Sequence, residues 1–279
     1  MSARKTSATD VRTVWLVHGL GDSPLVWQSV RRKQELKGYR FIKPALPGHG
    51  GADPLPQRER GLDGTAHWLQ SAIEEQGDPV ILVGHSMGGM IATLLGARCA
   101  LVAGVVNVEG PLLLADCDTA KKASQAKDFA RWFASFRDSV KFQTSNAPLH
   151  YARSVARADA LTFLACARGI VALTRNGEMA RTYSSLQVPA VYYYGDARDG
   201  ISKASREFLR SGGLAVKRFR GAGHWPMIDQ PEEFRAALSE ALGSIRDRFH
   251  AHAQGVSTAA PSSRPARRSA KASLARSSG

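Results

Sequence analysis

The stretch Val80-Ile81-Leu82-Val83-Gly84-His85-Ser86-Met87-Gly88-Gly89-Met90-Ile91 constrains the fold of this chain more than any other. A continuous apolar run of strand length leads through a glycine-rich turn into a segment whose Met90, Ile91, Ala92, Leu94, Leu95 and Ala97 leave almost no polar face. A strand apolar on both sides needs a layer on each face, and a helix apolar all round must itself be buried. Similar apolar runs recur at residues 11–17, 41–46, 104–108, 190–194 and 214–219, separated by helical patterns. That alternation predicts an α/β fold, a doubly wound and mainly parallel sheet covered on both faces.

The intervening helices are readable. Asp22-Ser23-Pro24 offers a capping side chain and a first-turn proline for a helix over 25–35. Residues 65–75 place Trp68, Leu69, Ala72 and Ile73 on one face, and Pro231 opens a last helix with Phe234, Leu238, Leu242 and Ile245 in one stripe. Between Pro111 and Val188 the alternation stops, and helical patterns such as 128–136 and 158–173 follow one another. The expected organisation is a flexible N-terminus at 1–10, an α/β core over 11–111 and 188–250, a helical cap insertion at 112–187, and a disordered basic tail at 251–279. In the cap, Phe129, Trp132, Phe133 and Phe136 have helical spacing, which reads first as packing.

Hydrophobic residues make up 43% and charged residues 22% of the 279 positions, so a buried core is expected and wholesale disorder is not. No run of eighteen apolar residues occurs and residues 1–7 lack the apolar centre of a secretory signal, which leads us to expect a cytoplasmic protein without membrane association. The net charge of +14 would suggest nucleic acid if it lay on one folded surface. Part of it instead belongs to Arg264, Arg267, Arg268, Lys271 and Arg276 in the Ser/Ala/Pro-rich tail, which contains no acid. Weak polyanion contact by the tail is the most that this implies, with no stable nucleic-acid partner. Cys99, Cys117 and Cys166 fit neither a metal-ligand spacing nor a redox pair and are expected as buried free thiols; no metal site is expected.

Gly84-His85-Ser86-Met87-Gly88 fits G-x-S-x-G with a strand before and a helix after, the context in which a serine projects its Oγ above a sheet. A serine hydroxyl needs a base to take its proton. His224, in Gly221-Ala222-Gly223-His224-Trp225-Pro226, follows the last strand and so lies at the sheet edge shared with Ser86. For His18, His49, His67, His85 and His150 a packing or hydrogen-bonding role is expected. The imidazole in turn needs an acid. Asp199 is preferred because Gly200 and Ile201 lead directly into the next helix, with Asp196 and Glu109 as alternatives at neighbouring strand ends. The Leu20 amide, in the turn after the first strand, and the Met87 amide, at the start of the helix, are the expected oxyanion donors.

These motifs together resemble the α/β-hydrolase superfamily with a helical lid. His18-Gly19-Leu20-Gly21, Pro47-Gly48-His49-Gly50, Gly84-His85-Ser86-Met87-Gly88-Gly89 and Gly223-His224 occur in that family's order, over roughly residues 11–248. The resemblance implies a Ser-Asp-His triad of Ser86, Asp199 and His224, no cofactor, and hydrolysis of a small-molecule carboxylic ester. Lactone, thioester or carbon–carbon bond hydrolysis, and a non-catalytic ligand-binding member, are the alternatives. Two departures stand out: the chain has no room before residue 11 for the two antiparallel strands that often begin the sheet, so six strands are expected. Asp199 also lies four residues after Gly195, where the family's acid usually lies three.

Overall fold

The computed structural model describes residues 10–30, 34–142, 149–197 and 199–253; the expected flexible N-terminus up to residue 9, and the basic tail from residue 254, lie outside them. Six strands form one sheet in the order β2-β1-β3-β4-β5-β6, with every pairing parallel. They are β1 (Thr13–Val17), β2 (Arg40–Ile42), β3 (Val80–His85), β4 (Val102–Val108), β5 (Ala190–Gly195) and β6 (Val216–Phe219). The helices are α1 (Leu62–Gln76), α2 (Met87–Arg98), α3 (Asp118–Gln125), α4 (Phe129–Phe142), α5 (Leu149–Val155), α6 (Ala160–Arg175), α7 (Glu178–Ser184), α8 (Lys203–Ser211), α9 (Pro226–Asp229) and α10 (Pro231–Ala253).

The continuous apolar strands are buried on both faces because side chains alternate between two layers. Val14 and Leu16 of β1, with Ile81 and Val83 of β3, pack into one apolar cluster together with α10. Trp15, Val17, Val80 and Leu82 face the other, which contains α1 and α2. The α10 stripe behaves as its spacing predicts: Phe234, Leu238, Leu242 and Ile245 are all buried, at about 1.5–3 kcal/mol each. Registers Val17↔Gly84, His85↔Val108, Val108↔Tyr193 and Gly195↔Phe219 bring the carboxyl ends of five strands to one edge. The chain runs from β1 outward to β2 and then back past β1 to β3, so the crevice of this open sheet opens between β1 and β3.

Two local expectations are corrected. Of the helix expected over 25–35, the described residues form two 3₁₀ turns, Pro24–Trp27 and Gln34–Leu36, and positions 31–33 lie outside the described residues. Lys43 Nζ donates to the carbonyls of Trp27 (2.7 Å) and Val30 (2.9 Å), which an α-helix would give to amides four residues on. The strand expected over 41–46 stops at Ile42; Pro44 has no amide proton with which to continue the ladder.

Helices α3 to α7 lie between β4 and β5, where the strand alternation lapses. This insertion has no core of its own: Phe133, Val155, Phe163 and Met179 belong to the same cluster as Trp15, Leu69 and Met87. The aromatic residues of α4 pack as their spacing suggests. Phe133, Phe136 and Trp132 surround Phe163 with ring centroids 4.9, 5.8 and 6.3 Å away. The three cysteines are free and buried.

Candidate active site

Ser86 is the single residue between the end of β3 and the start of α2. Its backbone stands at φ 53°, ψ −121°, a conformation L-residues rarely hold unless the surroundings impose it. Neighbouring glycines make this possible by close approach. A Cβ on Gly84 would lie 2.0 Å from the Gly88 carbonyl oxygen, and one on Gly88 would lie 2.3 Å from that of Val17. The Ser86 amide donates to the Val108 carbonyl at 2.9 Å, fastening the turn to the neighbouring strand.

The end of that neighbouring strand, β4, leads to the other non-glycine residue held at positive φ among the described residues, Glu109, at 54°. Its amide donates to Tyr193 O (2.9 Å), its Oε1 accepts from the Gly195 amide (2.7 Å), and its side chain is fully buried. Asn107 stiffens the turn by accepting from the Gly110 amide at 2.8 Å while donating to Gly89 O and Thr93 Oγ1 of α2. The remaining carboxylate oxygen, Oε2, lies 3.4 Å from His224 Nδ1. Burial pushes the Glu109 carboxyl upward, and the His224 ring and the Gly195 amide pull it back.

His224 sits on the loop between β6 and α9, with its side chain 27% exposed. Its backbone carbonyl accepts from His85 Nε2 at 2.8 Å, and the two imidazoles are 4.8 Å apart. Asp229 Oδ2 accepts from the Gly223 amide at 2.8 Å and closes the loop from the other side. The residue preceding Ser86 thus holds the loop that carries His224. No hydrogen bond joins Ser86 Oγ to His224 among the described residues, a geometry that commonly tightens only with substrate bound.

The expected pairing of Asp199 with His224 is not formed. Asp199 is exposed, and no hydrogen bond or ion pair joins it to His224 among the described residues. Its carboxylate lies against Gly223, where an added Cβ would come within 2.4 Å of Oδ1. Glu109, which follows the strand between β3 and β5, is the carboxylate that stands beside the His224 ring. Asp196 is engaged elsewhere, accepting from the Gly221 amide at 2.6 Å and pairing with Arg218. Glu109 was legible only as one of three strand-end acids; its residue type and place after β4 were the available signals.

Leu20 lies in the turn after β1 and Met87 at the first position of α2, so both expected donors flank the crevice between β1 and β3. Neither amide donates to another group among the described residues. His18, His49 and His85 take structural roles. His18 Nε2 accepts from the Leu46 amide and its Nδ1 lies 3.0 Å from Gly19 O, so the ring joins the loops after β1 and β2 as a neutral tautomer. Burial depresses all three imidazoles, His49 to about 4. Among the described residues no cluster of His, Cys, Asp or Glu could hold a metal ion, and no helix is long and apolar enough to cross a membrane.

Known proteins share this fold. Residues 16–237 match the alpha/beta hydrolase family. A pimeloyl-[acyl-carrier protein] methyl ester esterase of Sodalis glossinidius is 27% identical over 85% of this chain and 95% of its own. An esterase from Exiguobacterium antarcticum superposes with a TM-score of 0.66 at 16% identity, over 84% of this chain and 93% of that one. An N-acyl homoserine lactonase complexed with N-butanoyl homoserine reaches 0.67 at 21% identity, over 86% and 91%. The six parallel strands, the flanking helices and the match over most of the chain lead to one conclusion: this protein is a member of the alpha/beta hydrolase family.

Proposed function

We propose that the protein is a serine hydrolase that cleaves carboxylic esters carrying small to medium apolar groups, through an acyl-enzyme and with side chains and water as its only reagents. The observation that carries this reading is Ser86, strained at φ 53° between β3 and α2, next in the chain to the residue that bonds the loop of His224, whose Nδ1 faces a buried carboxylate. With Nδ1 turned to Glu109, the other ring nitrogen of His224 is left to take the Ser86 proton. Ser86 Oγ attacks the ester carbon, and the oxygen of the tetrahedral intermediate receives the amides of Leu20 and Met87. His224 then protonates the departing alcohol. Water, deprotonated by the same ring, attacks the acyl carbon, and the carboxylic acid and free serine are regenerated.

In this reading Glu109, in place of Asp199, is the acid that holds the His224 ring in the required tautomer and stabilises its charged form. The esterase activity named for the Sodalis relative, which spans nearly the same length, supports ester cleavage as the reaction class. The test is labelling of the purified protein with a fluorophosphonate, mapped by peptide mass spectrometry, beside turnover of chromogenic esters of graded acyl length. Adduct on Ser86 with turnover of short esters is the expected result. Turnover that survives Ser86→Ala would overturn the reading.

A further inference from the structure

The turn that presents the Leu20 amide is held from outside the sheet. The Asp22 amide donates to Gly19 O at 3.2 Å, and Gly21 has φ +69°. A four-residue turn with positive φ at its third position is of type II. Such a turn can interconvert with type I by rotation of its central peptide, here Leu20–Gly21, and glycine at position 21 accepts the backbone angles of either form. The local sequence therefore does not select one orientation. A side chain of the insertion does: Tyr151 Oη donates to the carbonyl oxygen of Leu20, the oxygen of that central peptide, at 3.2 Å.

Tyr151 is held firmly enough for this. Its helix, α5, meets the same loop through its neighbours: His150 Nε2 lies 3.4 Å from Asp22 Oδ1, and Ser154 Oγ lies 2.7 Å from Ser23 Oγ. Val155 and Phe163 close over Gly21, where a Cβ would come within 2.7 and 2.9 Å of them. The Tyr151 ring also packs on Trp225, next to His224, with centroids 5.6 Å apart. One side chain thus touches the loop of the oxyanion donor and the loop of the base.

We propose that Tyr151 is a positioning residue of the hydrolytic site, holding Leu20 by its carbonyl so that the same residue's amide, across its Cα in the Gly19–Leu20 peptide, stands preorganised for the oxyanion. This rests on the serine hydrolase reading above. Without the tyrosine hydroxyl, Leu20 loses the contact that fixes it against the insertion, and its amide is held by the turn alone. A donor that must be reordered at the moment of reaction stabilises the transition state less than one already in place. The substrate ester, which develops no full charge on its oxygen, is affected less.

The experiment compares the full chain with its Tyr151→Phe variant, which removes one oxygen and keeps the ring on Trp225. With p-nitrophenyl butyrate, kcat should fall by roughly tenfold while KM stays within about twofold. Inhibition by n-butylboronic acid, which adds to a serine as a tetrahedral anion, should weaken by a similar factor. Inhibition by butyrate, a ground-state mimic, should hold, and Tm should move by no more than about 3 °C. Unchanged kcat and boronate affinity, or a raised KM with kcat retained, would overturn the proposal. A wild-type chain that gives neither turnover nor a Ser86 adduct would instead remove the serine hydrolase reading, and this inference with it.

Discussion

The carboxyl edge of the sheet and the helical insertion both reach the site, but they are built in different ways. At the sheet edge the key residues are held by backbone. Ser86 and Glu109 both stand at positive φ, each with its amide bonded to the strand alongside. A parallel ladder anchored on both sides can impose such strain because shifting one residue would break pairings along the whole strand. The insertion works through side chains: Tyr151, His150 and Ser154 touch the oxyanion loop through a hydroxyl, an imidazole and a second hydroxyl. The proposed nucleophile sits where the backbone is over-determined, and the adjustable contacts sit where single substitutions can retune them.

The largest effect that probes this division should come from Ser86→Ala. It should lower ester turnover by about 10⁴-fold or more while leaving Tm nearly unchanged, because the elbow geometry is imposed by Gly84 and Gly88. Retention of a tenth of the activity would show that the strained residue is not the nucleophile. Next come the two acids. Glu109→Gln should reduce kcat by about 10²–10⁴-fold, whereas Asp199→Asn should stay within about threefold. The reverse ranking would return the orienting role to Asp199 and make the buried Glu109 contact a packing feature.

The shared core offers a third comparison. Phe163, fully buried among the α4 aromatic rings and against Gly21, belongs to the insertion and to the sheet layer at once. Phe163→Ala should destabilise the whole protein by about 3–5 kcal/mol in a single urea transition. Two separate transitions would mean that the insertion melts independently and that the common cluster is not cooperative.

The smallest expected effect is one of pH. Burial lowers the folded-state value of His49 from 6.5 to about 4 and lowers those of His18 and His85 as well. Between those two values the unfolded chain binds more protons than the folded one. Stability is therefore full above about pH 6.5 and falls as pH drops toward 4, with His49 alone worth on the order of 3 kcal/mol. Measuring urea stability at pH 7.5, 6 and 4.5 checks the sign, and His49→Gln should flatten the slope. A slope that persists unchanged in that variant would remove His49 from the account.

Much of this was legible in advance because it depends on short-range pattern. Apolar runs with glycine boundaries specified six parallel strands, and the strand-glycine-serine-glycine-helix order specified an elbow, since only a residue pressed between close-approaching glycines can turn there. The stripe of α10 and the aromatic spacing of α4 likewise follow from 3.6-residue periodicity. What the chain alone did not decide was which of several similar groups meet. Asp196, Asp199 and Glu109 all follow strands, and strand order brings one of them to the ring: β4 lies between β3 and β5, and Glu109 at its end has Oε2 3.4 Å from His224 Nδ1, while Asp199 is exposed.

The residues around Trp27 have the composition of a helix but form a 3₁₀ turn, with the Trp27 and Val30 carbonyls bonded by Lys43 of another loop. The same holds for Tyr151, whose position in the chain says nothing of Leu20, 131 residues away. The sequence by itself determined most of the elements, their order and the turn that carries Ser86, because those follow from local periodicity and from backbone space at glycine. Only the tertiary structure decided that Glu109 faces His224 and that Tyr151 bonds the turn after β1, because each is a meeting of groups remote in the chain, set by strand order and packing.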